Sequence, residues 1–349
     1  MRKARICLLH TGGTIGMIED TNGILTPPQT PTDLRKLVPE LEQVADIDFV
    51  PLFNKDSTNI FPCDWTTMAH NVFQRRNRGY DGFVISHGTD TMHFSASALS
   101  FALGKNLPFP VVFTGAMAIP SVLYGDARTN LVRAIYTALS NLSEVVIAFG
   151  NRIFRGCRTQ KKDYPCSAPF YSPMLPPLGE FSPEIILRGH AKSRPKSEIP
   201  SPDIDLRPDF ASGVLPIPMV PGLEPQLIEP IMESDTCKGL VIQAFGAGNI
   251  PNRQPYPFNH LVQQATQLGK PVLITTPFIS GSPYGPGFEA VQAGAIPTGN
   301  MTFAAATVKL RWVLAEVEKK LGGTHFTPAE KIRLVREKMV TPYVLEMDR

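Results

Sequence analysis

The chain has 349 residues, 43% hydrophobic and 19% charged, with a formal net charge of +3. Single cores rarely grow past roughly 250–300 residues, so two domains or one large one are expected. The small net charge and dispersed basic residues argue against nucleic acid as a partner, and no stretch approaches the roughly 18 apolar residues of a membrane span.

The densest basic cluster, Arg75, Arg76 and Arg78, reads as a solvated helix end. The first residues, MRKARICLLHTGG, hold only a strand-length apolar run, shorter than a secretory signal needs, so a cytoplasmic protein is expected. The five cysteines (Cys7, Cys63, Cys157, Cys166, Cys237) are odd in number and form no CxxC pair, so reduced thiols are expected. Cys7 and Cys237 flank apolar runs and are expected in the core. His10, His70, His87 and His93 lack metal spacing, so no zinc is expected.

In chain order, strand-like runs fall at 6–9, 47–53, 82–86, 110–113 and 145–149, with helical patterns between most of them. After Asp64, a candidate N-cap, Trp65, Met68, Ala69, Val72 and Phe73 share one helical face. Phe94, Ala98, Phe101 and Ala102 repeat the pattern, as do Leu131, Ile135, Ala138 and Leu139. Strands alternating with helices imply an α/β fold with a doubly wound, mainly parallel sheet. From residue 165 proline becomes dense, and SRPKSEIPSPDIDLRPD reads as a connector. The expected organisation is an N-terminal catalytic α/β domain over 1–185, a Pro-rich linker over 186–211, and a smaller C-terminal α/β domain over 212–349. In the last, strands are expected at 214–219, 239–244 and 271–275, and helices at 223–232, 258–268 and 302–320. A further helix opens at Thr327-Pro328-Ala329-Glu330, a capping box with proline at the first helical position.

The loops carry the chemistry. The run at 6–9 breaks into TGGTIG, whose two glycines permit tight turning and close backbone approach and leave the Thr14 hydroxyl at a strand's end. Alone, that is equally a plain strand-to-loop turn. The third strand is followed by Ser86-His87-Gly88-Thr89-Asp90-Thr91, and the second by Lys55-Asp56-Ser57-Thr58. In the common order 2-1-3-4-5, strands one and three are neighbours and their carboxyl ends flank the ligand-binding switch point. Thr14, Thr89, Asp90 and Ser57 would then meet in one crevice. Taken singly, Ser57 is a turn residue, Lys161 a solvated charge and Asp90 a helix cap. The weight lies in their conjunction.

TGGTIG followed by HGTDTM resembles the bacterial-type L-asparaginase family. TGAMAIPSVLYGDARTNL, NRIFRGCRTQK and FGAGNIP resemble further segments of it, so nearly the whole chain is covered. The resemblance implies an asparaginase-like amidohydrolase in which Thr14 is the nucleophile and Thr89, Asp90 and Lys161 form a hydrogen-bonded catalytic cluster. It implies that Ser57, Thr89 and Asp90 bind substrate, and that Asn249 approaches the site across a subunit boundary. It also implies no cofactor, a small-molecule amide substrate, and a homo-oligomer, either dimer or tetramer.

One departure stands out. The family carries a tyrosine on the loop after TGGTIG, whereas here that position is Ile24 and no tyrosine precedes Tyr80. Three readings follow. Tyr164 or Glu19 replaces it; or the loop suits a different, bulkier amide, with Ile24 and Leu25 as an apolar wall; or the protein binds an amino acid without turnover.

Overall fold

The computed structural model describes residues 2–19, 23–26, 33–163, 168–194, 203–276, 285–321 and 326–348. Its chain divides into two units, Met1–Pro208 and Asp209–Arg349.

The first unit opens with β1 (Ala4–Gly12), a small hairpin of β2 (Ile18–Glu19) and β3 (Leu25–Thr26), and β4 (Ala45–Lys55). Then come α1 (Pro62–Arg75), β5 (Gly82–Ser86), α2 (Met92–Leu103), β6 (Val111–Thr114), α3 (Ala127–Leu139) and β7 (Val145–Phe149). It finishes with β8 (Arg152–Arg155), β9 (Gln160–Lys161), β10 (Phe170–Tyr171), β11 (Gly179–Ser182) and β12 (Glu184–Leu187). Eight of these strands form one sheet in the order β12-β11-β8-β7-β6-β5-β1-β4. The stretch β4-β1-β5-β6-β7 is parallel, which in chain order is the expected 2-1-3-4-5. The antiparallel extension through β8, β11 and β12 is an addition to that expectation. Its start is a two-residue hairpin at Gly150-Asn151, where Gly150 supplies a φ of 57° that suits the strand twist.

Both faces of the sheet are buried. Ile6, Leu8, Val84, Val112 and Val146 pack with Leu131, Ile135 and Ala138 of α3. Cys7, Leu9, Phe83, Ile85 and Phe113 point the other way and are just as buried, which explains near-continuous apolar runs instead of alternation. The first helix differs from expectation at its start. It begins at Pro62 with Phe61 as N-cap, and Asp64 is the third helical residue, its carboxylate accepting from Phe61 N at 2.9 Å. Proline's fixed φ suits the first helical position, and an acid at the third can reach back to the cap.

The expected connector has two described pieces. Ile186 and Leu187 complete β12, and Ser143 N donates to Lys192 O. Further on, Arg207 N donates to Ala102 O at 2.9 Å. Residues 195–202 lie outside the described residues.

The second unit contains β13 (Val214–Pro218), α4 (Glu229–Glu233), β14 (Gly239–Gln243), α5 (Phe258–Gln267) and β15 (Val272–Thr275). After them come α6 (Gly285–Gln292), β16 (Ile296–Pro297), α7 (Phe303–Leu321) and α8 (Pro328–Val340). Four parallel strands run β13-β14-β15-β16. The helix expected over 223–232 is broken into a 3-10 turn, Pro225–Leu227, and the five-residue α4, because Pro225 and Pro230 remove backbone donors. The capping box at Thr327 forms as expected, with Thr327 N donating to Glu330 Oε2 at 2.8 Å. Cys7 and Cys237 are buried, and Cys166 lies outside the described residues. Among the described residues no helix is long and apolar enough to cross a membrane.

Candidate active site

Three loops meet at the carboxyl ends of β1, β4 and β5, and glycines make the meeting possible. β1 ends in Gly12 and Gly13, with φ of 104° and 83°, and the chain turns into a short 3-10 segment, Thr14–Gly16. Gly13 N donates to Lys55 O at the end of β4, 3.1 Å away. A Cβ on Gly13 would lie 2.4 Å from Gly88 N, and a Cβ on Gly88 would lie 2.6 Å from Ser57 Oγ. Any side chain at either position would force the loops apart. Thr14 therefore follows, and Thr89 follows, the two glycines that touch. Ser57 is buried against the second of them, and Thr91 Oγ1 donates to Ser57 O at 2.7 Å.

Lys161 reaches this place from far along the chain. After β8, Gly156 packs on Ala96 of α2, where an added Cβ would sit 3.0 Å from the Ala96 methyl. The chain then enters β9, paired with β10 through Lys161 and Phe170. From there Lys161 Nζ donates to Thr89 Oγ1 at 2.9 Å and to Asp90 Oδ1 at 2.6 Å. Thr89 is buried and the Lys161 side chain mostly covered while the Asp90 carboxylate is half exposed, so the cluster opens to solvent on the aspartate side. Asp90 thus pairs with lysine and does not cap α2, whose N-cap is Thr91.

The polar support beneath the loops escaped the sequence reading. The Trp65 indole can only donate and the Gly88 carbonyl can only accept, so His87 Nδ1 carries a proton. Trp65 Nε1 donates to Ser95 Oγ (3.0 Å), Ser95 donates to His87 Nε2 (2.8 Å), and His87 Nδ1 donates to Gly88 O (2.7 Å). Burial pushes the His87 pKa down to about 4, and the neutral ring is the form in which Nε2 accepts from Ser95. His93, on the first turn of α2, is also held down to about 4, by burial first and then by the Lys161 charge. The available signal was Ser95 itself. Ser97 and Ser100 of the same buried helix bond back to carbonyls four residues earlier, but Ser95 bonds outside the helix. A salt bridge from Lys55 Nζ to both Asp64 oxygens, at 2.8 and 2.9 Å, ties the end of β4 to the start of α1.

The remaining candidates stand on other elements. Asn249 belongs to the second unit, in a tight loop after β14 where Asn249 N donates to Phe245 O at 2.8 Å. Ile24 stands at the foot of β3, beside Leu25, with 58% of its surface exposed. Tyr164 lies outside the described residues. Among the described residues no group of three or more potential metal ligands is gathered.

Comparison with known proteins gives one consistent result. Residues 5–192 match the family model described as Asparaginase, N-terminal, and residues 214–320 match the Glutaminase/Asparaginase C-terminal domain. An L-asparaginase of Thermococcus kodakarensis is 32% identical over 340 residues, covering 96% of this chain and 98% of its own. L-asparaginase 1 of Escherichia coli is 32% identical, covering 90% of this chain and 93% of its own. A Glutamyl-tRNA(Gln) amidotransferase polypeptide of Methanothermobacter thermautotrophicus is 31% identical, covering 90% of this chain and 72% of its own. The solved structure of the thermostable Thermococcus kodakarensis L-asparaginase superposes with a TM-score of 0.83 at 31% identity, covering 99% of each chain. L-asparaginase I from Vibrio cholerae gives 0.83 at 29% identity, covering both chains fully (100%).

Proposed function

The chain belongs to the asparaginase family and is an asparaginase-like amidohydrolase, and from that premise we propose that it hydrolyses the side-chain amide of L-asparagine through a Thr14 nucleophile. Thr14 Oγ1 attacks the amide carbonyl carbon as its proton passes to a base. The tetrahedral oxyanion is met by backbone N–H donors, that of Thr89 among them. The C–N bond breaks, ammonia leaves with a proton, and an acyl ester remains on Thr14. Water then attacks the ester, gives up a proton, and releases aspartate and the free hydroxyl. Ser57 and Asp90 hold the α-carboxylate and α-ammonium of the substrate, the latter through a charge-assisted bond. The chain Thr89–Lys161–Asp90 offers the proton path.

The observation that carries this reading is that triplet, bonded at 2.9 and 2.6 Å, beginning one residue from the glycine contact with the Thr14 loop. Ammonia and aspartate release from L-asparagine tests it. Thr14→Ala and Thr89→Val should each abolish release, and undiminished release in both would end the threonine mechanism. Asn249 is assigned to the same site in a homo-oligomer, so Asn249→Ala should raise KM in the assembled protein more than it lowers kcat.

A second reading has its own observation. Ile18, Ile24 and Leu25 are 50%, 58% and 46% exposed on the hairpin just past the Thr14 turn, where they would face an apolar part of a larger amide. The amidotransferase relatives keep that reading in view. An ammonia-release screen over a panel of amides separates the two. Binding without turnover, the third reading, predicts no release from any amide but a rise in Tm with asparagine or aspartate.

A further inference from the structure

His10 is fully buried at the end of β1, four residues before Thr14, and no step of the mechanism uses it. Its side chain hydrogen-bonds Asn54 near the end of β4, and three further neighbours define its place. Nδ1 lies 2.7 Å from Ser86 Oγ, its partner in the β1–β5 register and the last residue before the His87-Gly88-Thr89 loop. The Phe49 ring of β4 lies on another side, with centroids 5.8 Å apart. Above it sits Gly16, the last residue of the turn that begins with Thr14. A Cβ there would come within 2.7 Å of His10 Cε1 and 3.1 Å of Nε2.

Gly16 does not have a positive φ, so its backbone would accept an L residue other than proline, which would lose the bond from Gly16 N to Gly13 O. What excludes a side chain is the imidazole beneath it. The Thr14–Gly16 turn therefore rests directly on a ring that is itself fastened to the strand leading to Thr89. Thr11 Oγ1 doubles the fastening by donating to Ser86 O at 2.8 Å. Burial keeps the imidazole neutral, with a pKa pushed down to about 4, so the floor carries no charge toward the nucleophile at neutral pH.

We propose that His10 is a positioning residue: its ring is the floor that sets the height of the Thr14 turn, and its bond to Ser86 sets that height relative to the Thr89 loop. This rests on the reading of Thr14 as nucleophile. The distance between the two threonine loops must hold to within a fraction of an ångström for attack, and His10 touches the support of each.

The geometry supplies a compensating pair. Asparagine at position 10 keeps a polar atom where Nδ1 stands and lacks the Cε1 and Nε2 that a Gly16 methyl would strike. The test is steady-state ammonia release and Tm for wild type, Gly16→Ala, His10→Asn and the double variant. Displacing the turn by about an ångström in Gly16→Ala should lower kcat on the order of 100-fold with KM little changed. The double variant should recover at least about tenfold of that loss, a coupling expected only between residues in contact. Coupling seen in Tm but not in kcat would make His10 a packing residue and overturn the inference, as would a double variant no better than Gly16→Ala. Wild-type turnover that survives Thr14→Ala would instead overturn the nucleophile reading, and absence of wild-type turnover would overturn the proposed activity. Each failure is thus separately visible.

Discussion

Lys161→Met separates a catalytic role from a structural one most cleanly. The substitution keeps the apolar stem and removes Nζ, and with it the bonds to Thr89 at 2.9 Å and Asp90 at 2.6 Å. The lysine side chain is 12% exposed but that of Asp90 is 54% exposed, so water already screens one end of the pair. Screened pairs contribute about 0–1 kcal/mol and an ordinary hydrogen bond about 0.5–1.5, so stability should fall by only about 1–2 kcal/mol. In a protein of 349 residues that lowers Tm by only a degree or a few, roughly 1–2 °C per kcal/mol. Loss of a proton-transfer group should instead lower turnover by about 10²–10⁴-fold, some 3–5 kcal/mol of barrier. The two effects are read in parallel by ammonia release and thermal melting. Lys161→Arg should not restore activity, since a guanidinium stays protonated and cannot pass a proton as a lysine amine can. A kcat/KM for Lys161→Met within tenfold of wild type, alongside the expected small Tm loss, would refute the reasoning. Lys161 would then merely tie β9 to the loop before α2.

Glu144 and Arg155 form a buried pair at 2.6 Å, with Lys192 N also donating to the carboxylate. Glu144→Ala leaves the guanidinium buried and unpaired, and should cost about 3–5 kcal/mol, read as a lower urea midpoint; a loss below about 1 kcal/mol would contradict this. His10, His87 and His93 are each held down to about 4 by burial, so the unfolded chain takes up these protons first as pH falls. Stability is therefore whole above the ordinary histidine pKa of about 6.5 and is lost between there and about 4. His93→Leu should flatten the fall of the urea midpoint across that window, and an unchanged slope would remove His93 from the account. Ile24→Tyr restores the hydroxyl that the family carries on the hairpin, and should raise asparagine turnover on the order of 10²-fold if the loop lacks a proton-handling group. No gain would favour a different amide.

Much of the fold was open to inspection because burial on both sheet faces writes itself as uninterrupted apolar runs. The five parallel strands stand where those runs stand, and the switch point between β1 and β5 follows from their order. The antiparallel edge was less visible. β11 and β12 read GEFS and EIIL, short and half-polar, in a segment whose prolines speak for irregular chain. The helix over 223–232 failed for a related reason, since its apolar spacing was intact and only the prolines inside it carried the contrary information.

Of the candidate site, Thr14, Ser57, Thr89 and Asp90 sit on loops whose meeting follows from strand order, whereas Lys161 approaches Thr89 and Asp90 from an antiparallel annex with no local signal to announce it. Resemblance alone pointed there. The buried polar residues needed a different argument, one that strand register supplies. His10 is the first polar residue after the apolar run at 6–9, and Ser86 is the first after the matching stretch at 82–85. In adjacent parallel strands packed on both faces, neither residue reaches water. Each must satisfy its polar atoms locally, and the other is the partner at the same level. A polar residue near the end of each of two neighbouring central strands therefore implies a hydrogen bond between the strands, just before the loops that follow them. In this fold those are the loops that carry the two threonines.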